Sequence, residues 1–204
     1  NALQQMGTTF IKLGQFLSTR PDIIGEDISK ELEKLQDKLP PFDLTTAKNI
    51  LKKELGNENF EKITNISDPI AAASIAQVHF ANINISGQKK NIAIKILRPN
   101  IEKIFNEELD ALMFLAYIVE SFIKKTKRLK LIEVVQLLRE ITNVEMDFRF
   151  EAAAASEFYE NTKNDFGFNV PKIYWNQTSK NVLCLDQVDG ISIREVENLK
   201  LQNI

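Results

Sequence analysis

The sequence from Ser74 to Leu97, SIAQVHFANINISGQKKNIAIKIL, is the stretch that decides the fold. Its first part, Ser74 to Ile83, alternates apolar and polar residues over most of its length, which is typical of a half-buried β-strand. Ser86-Gly87 supplies a turn, and the β-rich run Asn91 to Leu97 stops before Pro99. The stretch therefore predicts two neighbouring antiparallel strands.

The residues before this hairpin predict helices. Apolar residues from Leu3 to Leu17 recur at three- and four-residue intervals, as in an amphipathic helix that ends before Pro21. A second helix is expected from Glu26 to Lys38, and a third from Thr45 to Leu55, closed by Gly56. The first quarter of the chain should therefore be helical.

The residues after the hairpin predict two long helices and two more strands. The helices are expected at about Ile101 to Lys127 and Leu131 to Asn161, with a short break near Arg128. The strands are expected at Val170 to Trp175 and Val182 to Val188. This order of elements favours an α+β fold over a repeating βαβ pattern.

The composition excludes several classes of protein. The 26 basic and 28 acidic residues give a formal net charge of -2, so the overall balance favours neither nucleic acid nor an anionic membrane as partner. Cys184 and His79 are the only residues of their types, which excludes a disulfide framework and a zinc site of the usual ligands. The most apolar stretch, Ala111 to Ile123, is too short to span a bilayer, is interrupted by Glu120, and predicts a buried helix.

Glycine placement excludes two nucleotide-binding folds. The seven glycines permit neither a dinucleotide-binding fingerprint nor a Walker-type phosphate loop. A run of small residues precedes the first strand instead, and it includes Ala71, Ala72, Ala73 and Ser74. Its backbone N–H groups could lie over phosphates, but the composition alone favours a tight packing spot.

Lys95 is a cation among apolar neighbours on the second strand. Such an ammonium either points to solvent or has an anionic partner, and taken alone the solvent interpretation is favoured. In protein kinases, a strand lysine in an Ala-x-Lys context contacts the α- and β-phosphates and pairs with a helix glutamate. Ala93-Ile94-Lys95 has this form and follows the small-residue run, which makes the kinase-like interpretation competitive.

Two further groups of polar residues are candidates. Lys12 and Gln15 lie at three-residue spacing on one helical face, where a solvated lysine is the ordinary alternative. On one continuous second helix, Asp147 and Glu151 would share a face and Glu145 would point away. The ordinary alternative there is a surface pair with Arg149, worth a few tenths of a kcal/mol.

These features occur together and in a fixed order, and the ordered set resembles the UbiB/ADCK family of atypical kinases, which is associated with ubiquinone biosynthesis. The resemblance covers essentially the whole chain and rests on four motifs and three further stretches: Lys12 to Gln15, Ala71 to His79, Lys95, Glu145-Met146-Asp147 with Glu151, Leu17 to Asp22, Leu35 to Asp37 before Pro40-Pro41, and Val188 to Gly190.

The resemblance implies a domain organisation. A protein-kinase-like N-lobe, an antiparallel sheet with long helices, is expected at residues 59–190. A helical N-terminal extension is expected before it at 1–58, and the start of a truncated C-lobe after it at 191–204. Only fourteen residues follow Gly190, so the catalytic loop and the metal-binding Asp and Asn of a second lobe should be absent here. We therefore expect these residues to be part of a longer protein and not to complete phosphoryl transfer alone.

The resemblance also implies roles for individual residues. Lys95 matches the ATP-contacting lysine, and Glu145 matches the helix acid that pairs with it. Lys12 and Gln15 match an extension that folds over the active site, where Lys12 should approach acids such as Glu145 or Asp147. The resemblance implies a regulatory role for four residues: Lys12, Gln15, Asp147 and Glu151.

Nucleotide contacts are implied at two more places. Ala71, Ala72, Ala73 and Ser74 match the alanine-rich loop that replaces the kinase glycine-rich loop. Asp186, Gln187 and Val188 match the segment joining the two lobes, whose backbone would hydrogen-bond adenine.

The implied activity is that of an atypical kinase or ATPase that uses ATP and Mg²⁺ and supports ubiquinone biosynthesis. The alternative is a non-catalytic scaffold or lipid-binding chaperone for ubiquinone-biosynthesis enzymes. Implied partners are those enzymes or polyprenyl lipid intermediates, with peripheral membrane association and no nucleic acid. The implied location is the cytoplasmic face of a bacterial inner membrane or the mitochondrial inner membrane.

Overall fold

The structure is a computed structural model that describes residues 7–33, 39–191, 193 and 195–202, with the backbone alone for Lys124 and Lys125. In this part of the chain, helices surround a five-stranded antiparallel sheet. The predicted α+β class, with a kinase-like N-lobe and a helical N-terminal part, is confirmed.

In the described residues, four helices precede the sheet: α1 (Thr8–Ser18), α2 (Pro21–Ile24), α3 (Glu26–Glu33) and α4 (Leu44–Glu61). Leu3 and Leu35 to Asp37, which the sequence analysis used, lie outside the described residues. The predicted end of the third helix at Gly56 is confirmed, because Gly56 has a non-helical φ of 73° and ψ of 165°, and a second helical segment of α4 follows it. α4 therefore crosses the 58/59 boundary, and the division into extension and lobe stays a prediction.

Five strands form the sheet: β1 (Ile63–Thr64), β2 (Pro69–Ala72), β3 (Ala76–Ile85), β4 (Gln88–Leu97) and β5 (Val182–Asp186). Their order is β1-β3-β4-β5, and β2 also pairs with β3. The predicted hairpin is confirmed, since β3 and β4 pair antiparallel around Ser86-Gly87, where both residues have positive φ. The sequence did not predict β1 and β2.

The later helices are α5 (Ile101–Phe122), α6 (Leu131–Glu145), α7 (Phe148–Thr162) and α8 (Val196–Leu201), with short 3₁₀ turns at Lys124–Leu129 and Trp175–Gln177. The prediction of one helix from Leu131 to Asn161 is wrong. Asp147 has extended backbone angles and caps a new helix with its side chain, which separates α6 from α7. The predicted strand from Val170 to Trp175 is also wrong, because Ile173 forms only an isolated bridge with Leu185.

The two faces of the sheet pack against different helices. Ile92, Ile94 and Ile96 of β4 are fully buried in a cluster with α4. Leu97, the residue after Ile96, belongs to the other cluster, which α5, α6 and α7 line. Because side chains alternate along a strand, Lys95 lies on this second face, toward α7.

Among the described residues, no helix combines the length and apolar character needed to cross a membrane.

Candidate nucleotide-binding site

Lys95 lies in the middle of the sheet, in a row that reaches the alanine-rich run. Val78 of β3 pairs with Ala71 of β2 on one side and with Lys95 of β4 on the other, and Lys95 pairs with Leu183 of β5. Directly paired residues of neighbouring strands project to the same face. The sheet register thus places Lys95 two strands away from Ala71.

The Lys95 ammonium contacts two side chains at the start of α7. Its Nζ lies 2.8 Å from Oε2 of Glu151 and 4.8 Å from the ring centroid of buried Phe148. The Lys95 side chain is 30% exposed, so this cation is held by a carboxylate and an aromatic face while remaining reachable from solvent.

The predicted pairing of Lys95 with Glu145 is wrong. Glu145 is the last residue of α6, whereas Glu151 lies in the first turn of α7. The break at Met146-Asp147 redirects the chain between them, so only Glu151 approaches β4.

Glu145 instead binds the N-terminal helices. Nζ of Lys12 lies 2.7 Å from Oε2 of Glu145, and the Lys12 side chain is only 16% exposed. Both residues line a cleft of about 230 Å³ between α1 and α6, together with Gln15. The expected approach of Lys12 to Glu145 is thus present, while the functional roles of these residues stay predictions.

Asp147 caps the N-terminus of α7. Its Oδ1 accepts hydrogen bonds from the backbone N–H of Arg149 at 3.1 Å and from Nε of Arg149 at 2.9 Å. Nη2 of Arg149 lies 2.6 Å from Oδ2, and this guanidinium holds the pKa of the Asp147 carboxyl below its usual value. The alternative surface pair between Glu145 and Arg149 is therefore wrong, because Arg149 binds Asp147.

The alanine-rich run lies at the surface, and the prediction of a loop is wrong for Ala71 and Ala72, which form the end of β2, while a turn starts at Ala73. Ala71 is exposed, Ala72 and Ala73 are half-buried, and Ser74 is buried. The turn closes where the N–H of Ala73 donates to the carbonyl of Ala76 at 2.8 Å. The exposure of Ala71 argues against a tight packing spot at this residue.

Arg98 ties this turn to the N-terminal segment. Its Nε donates to the carbonyl of Ala73 at 2.9 Å, and its Nη1 donates to the carbonyl of Pro40 at 2.9 Å. Nη2 donates to the carbonyl of Leu39 at 3.4 Å. One guanidinium therefore joins the turn after β2 to the residues that precede α4.

Gln77 provides a second connection to the same segment. Its side-chain amide donates to the carbonyl of Phe42 at 3.1 Å and accepts from the N–H of Phe42 at 2.9 Å. Nε2 of Gln77 also lies 2.9 Å from Nε2 of His79, whose Nδ1 lies 2.8 Å from the carbonyl of Ser67. Since that carbonyl can only accept, Nδ1 of His79 carries the proton and Nε2 accepts from Gln77.

The prediction of β3 as a strand with a solvated polar face is wrong for its first half. Gln77 and His79 are fully buried on the α4 side, while Val78 and Phe80 are only half-buried. The hydrogen bonds to Phe42 and Ser67 make this burial acceptable, because they satisfy the polar atoms. The sequence does not predict these hydrogen bonds of Gln77, His79 and Arg98, because most of their partners are backbone groups, which leave no signature in the sequence.

The segment from Asp186 to Val188 continues from β5. The N–H of Asp186 donates to the carbonyl of Lys172, and the N–H of Gln187 donates to the carbonyl of Asn91. Among the described residues, no acceptor binds the N–H of Val188. If adenine binds this segment, Val188 is therefore the residue with a backbone donor to offer.

Asp186 itself has a structural partner. The hydroxyl of Tyr174 donates to Oδ1 of Asp186 at 2.5 Å, and burial together with this carboxylate raises the pKa of Tyr174. In the described part of the chain, no three His, Cys, Asp or Glu side chains are grouped to hold a metal ion.

Comparisons with known proteins show the family of this chain. Residues 34–204 match the family described as the ABC1 atypical kinase-like domain. A protein of Marinobacter nauticus named "Probable protein kinase UbiB" is 38% identical over 200 residues, which is 98% of this chain and 36% of the relative. Proteins of the same name from Pseudomonas paraeruginosa and Pseudomonas fluorescens are 36% and 34% identical, with 37% of each covered. The chain thus spans little more than a third of the length of these relatives.

Proposed function

Because the chain belongs to the ABC1 atypical kinase-like family, we propose that it forms the ATP-binding part of an atypical kinase or ATPase. In this proposal Lys95 contacts the α- and β-phosphates, and the segment from Ala71 to Ser74, at the end of β2 and in the turn after it, covers them. The backbone of Asp186 to Val188 receives adenine. The intact protein supports ubiquinone biosynthesis at a membrane, as the resemblance to UbiB proteins implies.

The ion pair between Lys95 and Glu151 is the observation that carries the proposal. A strand lysine held by a helix carboxylate is the arrangement that kinases use to direct an ammonium at phosphate oxygens. The Lys95 side chain is held in place by Glu151 and Phe148, so little conformational freedom would be lost on binding a nucleotide.

Mg²⁺ belongs to the proposal as the partner of ATP. When bound, it would supply positive charge that offsets the charge of the phosphates. The described residues supply a cation and backbone N–H donors. No three of their His, Cys, Asp or Glu side chains are grouped to hold a metal ion. The proposal assigns the metal ligands to other parts of the intact protein.

The N-terminal helices favour a small acceptor or water over a protein substrate. Lys12 and Glu145 hold α1 against the end of α6, on the same side of the sheet as Lys95. Helices in that position would obstruct an extended peptide. We therefore propose ATP hydrolysis or phosphorylation of a small molecule as the output.

Replacing Lys95 by methionine in the intact protein tests the proposal. Methionine keeps the length and apolar character of the stem but removes the ammonium, so ATP affinity should fall at least tenfold and hydrolysis should be lost. Lys89→Met is the matched control, because Lys89 is an exposed lysine on the same strand. It should leave both measurements unchanged.

The scaffold alternative has one observation in its favour, an exposed apolar surface on α5 in which Phe114 is 65% exposed. It predicts that Lys95→Met leaves ATP binding and ubiquinone production unchanged in cells. Such a result would contradict the nucleotide-binding proposal.

A further inference from the structure

The C-terminal half of α5 presents an apolar face to solvent. Phe122 is 82% exposed, and five neighbouring apolar side chains are also exposed: Phe114, Leu115, Tyr117, Ile118 and Ile123. At about 100° per residue, those on the helix fall within an arc of about 160°. The opposite side of α5, with Leu109 and Ala116, is buried in the core. The predicted burial of Ala111 to Ile123 is therefore wrong for this face.

The acid within this stretch does not reach the exposed face. Oε1 of Glu120 accepts a hydrogen bond from the N–H of Ile132 at 3.1 Å, at the start of α6. Glu120 is half-buried and is the only charged residue between Ala111 and Ile123. The exposed half of the helix is thus uncharged over three turns.

A basic segment follows the apolar face directly. The sequence from Lys124 to Lys130, KKTKRLK, contains five basic residues and no acid. Lys130 pairs with Glu133. Lys127 and Arg128 are exposed, and within the described part of the chain neither has a carboxylate partner. These cations are available for anions outside the molecule.

We propose that the apolar face of α5 and the segment Lys124–Lys130 dock together on the surface of an anionic lipid bilayer, with the α5 axis in the membrane plane. An apolar helical face bordered by lysine and arginine fits the boundary between acyl chains and anionic headgroups.

This docking surface is independent of the nucleotide site. It uses none of the residues around Lys95, so the Lys95→Met variant should bind vesicles like the unchanged protein. Loss of membrane docking and loss of ATP binding can therefore be observed separately.

A fluorophore in the middle of the face gives a direct test. Ser121 is exposed between Tyr117 and Phe122, and Ser121→Cys can be labelled in the intact protein with an environment-sensitive dye. In this part of the chain the native Cys184 does not compete, because it is buried and burial raises the pKa of its thiol to about 12. Asn57→Cys on α4, which packs on the opposite face of the sheet, is the matched control label.

We expect the dye at position 121 to shift to the blue with vesicles that contain phosphatidylglycerol, and nitroxide-labelled lipids should quench it. Vesicles of phosphatidylcholine alone should have a much smaller effect, and the dye at position 57 should not respond. Because the intact protein is used, this local readout remains valid even if another segment also binds the membrane.

Two sets of substitutions separate the electrostatic and apolar contributions. Lys127→Gln with Arg128→Gln should weaken partitioning onto anionic vesicles by roughly 25-fold, since each basic residue near the surface contributes about fivefold. Phe114→Ser with Phe122→Ser should weaken partitioning on all vesicles, with thermal unfolding as the check on folding.

An unresponsive dye at position 121 would overturn the proposal. So would burial of that dye without lipid, which would indicate a protein partner or a second copy.

Discussion

Glu145 and Glu151 can be distinguished by experiment, because each pairs with a different lysine. Glu151→Gln removes the carboxylate that holds Lys95 and should weaken ATP binding by about two- to tenfold. Glu145→Gln removes the partner of Lys12 and should increase amide exchange in α1. ATP affinity and amide exchange in α1 should both be measured for each of the two variants.

The two variants should thus affect different measurements. If Glu145→Gln weakened ATP binding more than Glu151→Gln did, then Lys95 would exchange partners when nucleotide binds. That outcome would contradict the pairing in this structure and favour the one that the resemblance implied.

The sequence indicated Lys95, Lys12 and Glu145 as candidate site residues, but it gave Lys95 the partner Glu145, whereas the structure gives Glu151. Motif order identified the residues, whereas the partner depends on where α6 ends. The sequence around Met146-Asp147 contains no glycine or proline that would indicate a helix break. A capping aspartate inside a continuous apolar pattern is easily overlooked.

At the level of elements, Asp147 determines where α7 begins. Asp147→Ala removes both the helix cap and the pair with Arg149, and should lower the free energy of unfolding by about 1–2 kcal/mol. Asp147→Asn keeps a capping oxygen and should cost much less. Urea denaturation at neutral pH would measure both changes.

The same carboxylate predicts a pH dependence. Arg149 lowers the pKa of Asp147 in the folded protein, so its contribution is present above the usual aspartate pKa and is lost as the pH falls through the lowered value. The gap in stability between the unchanged protein and Asp147→Asn should therefore narrow in acid. A gap that stayed constant at low pH would contradict the role of the charge.

Strand β3 shows how far a period-2 pattern can predict burial. The pattern correctly gave a half-buried strand paired with β4, but it did not predict that Gln77 and His79 lie on the buried face. Their burial depends on Phe42 and Ser67, whose backbone groups reach β3 only after the chain has folded. Local sequence therefore predicts the element, while tertiary hydrogen bonds decide which face is buried.

At the scale of the whole molecule, two side chains connect residues 39–42 to the sheet. Arg98 binds the carbonyls of Leu39, Pro40 and Ala73, and Gln77 binds both backbone groups of Phe42. The segment that leads into α4 is thus attached to the edge of the alanine-rich turn. We expect the conformation of that turn to depend on this attachment.

Replacing Arg98 by lysine tests the dependence. Lysine keeps the charge but cannot donate to three carbonyls in the geometry of a planar guanidinium. Amide exchange should therefore increase in two separate places, at Leu39 and Phe42 and from Ala71 to Ser74, and ATP affinity should fall several-fold, while Pro40 and Pro41 have no amide hydrogen to exchange. Arg139→Lys is the matched control, because Arg139 joins α6 to Asp110 of α5 without contacting the turn.

Gln77→Leu separates the two connections. It leaves the backbone groups of Phe42 without partners and should lower the free energy of unfolding by about 2 kcal/mol, with faster exchange at Phe42. It does not remove the hydrogen bond from Arg98 to Ala73, so exchange from Ala71 to Ser74 should change less than in Arg98→Lys. If Arg98→Lys left that turn unchanged, the N-terminal segment would be only a packing partner of the sheet, and the conformation of the turn would be set by β2 and β3 alone.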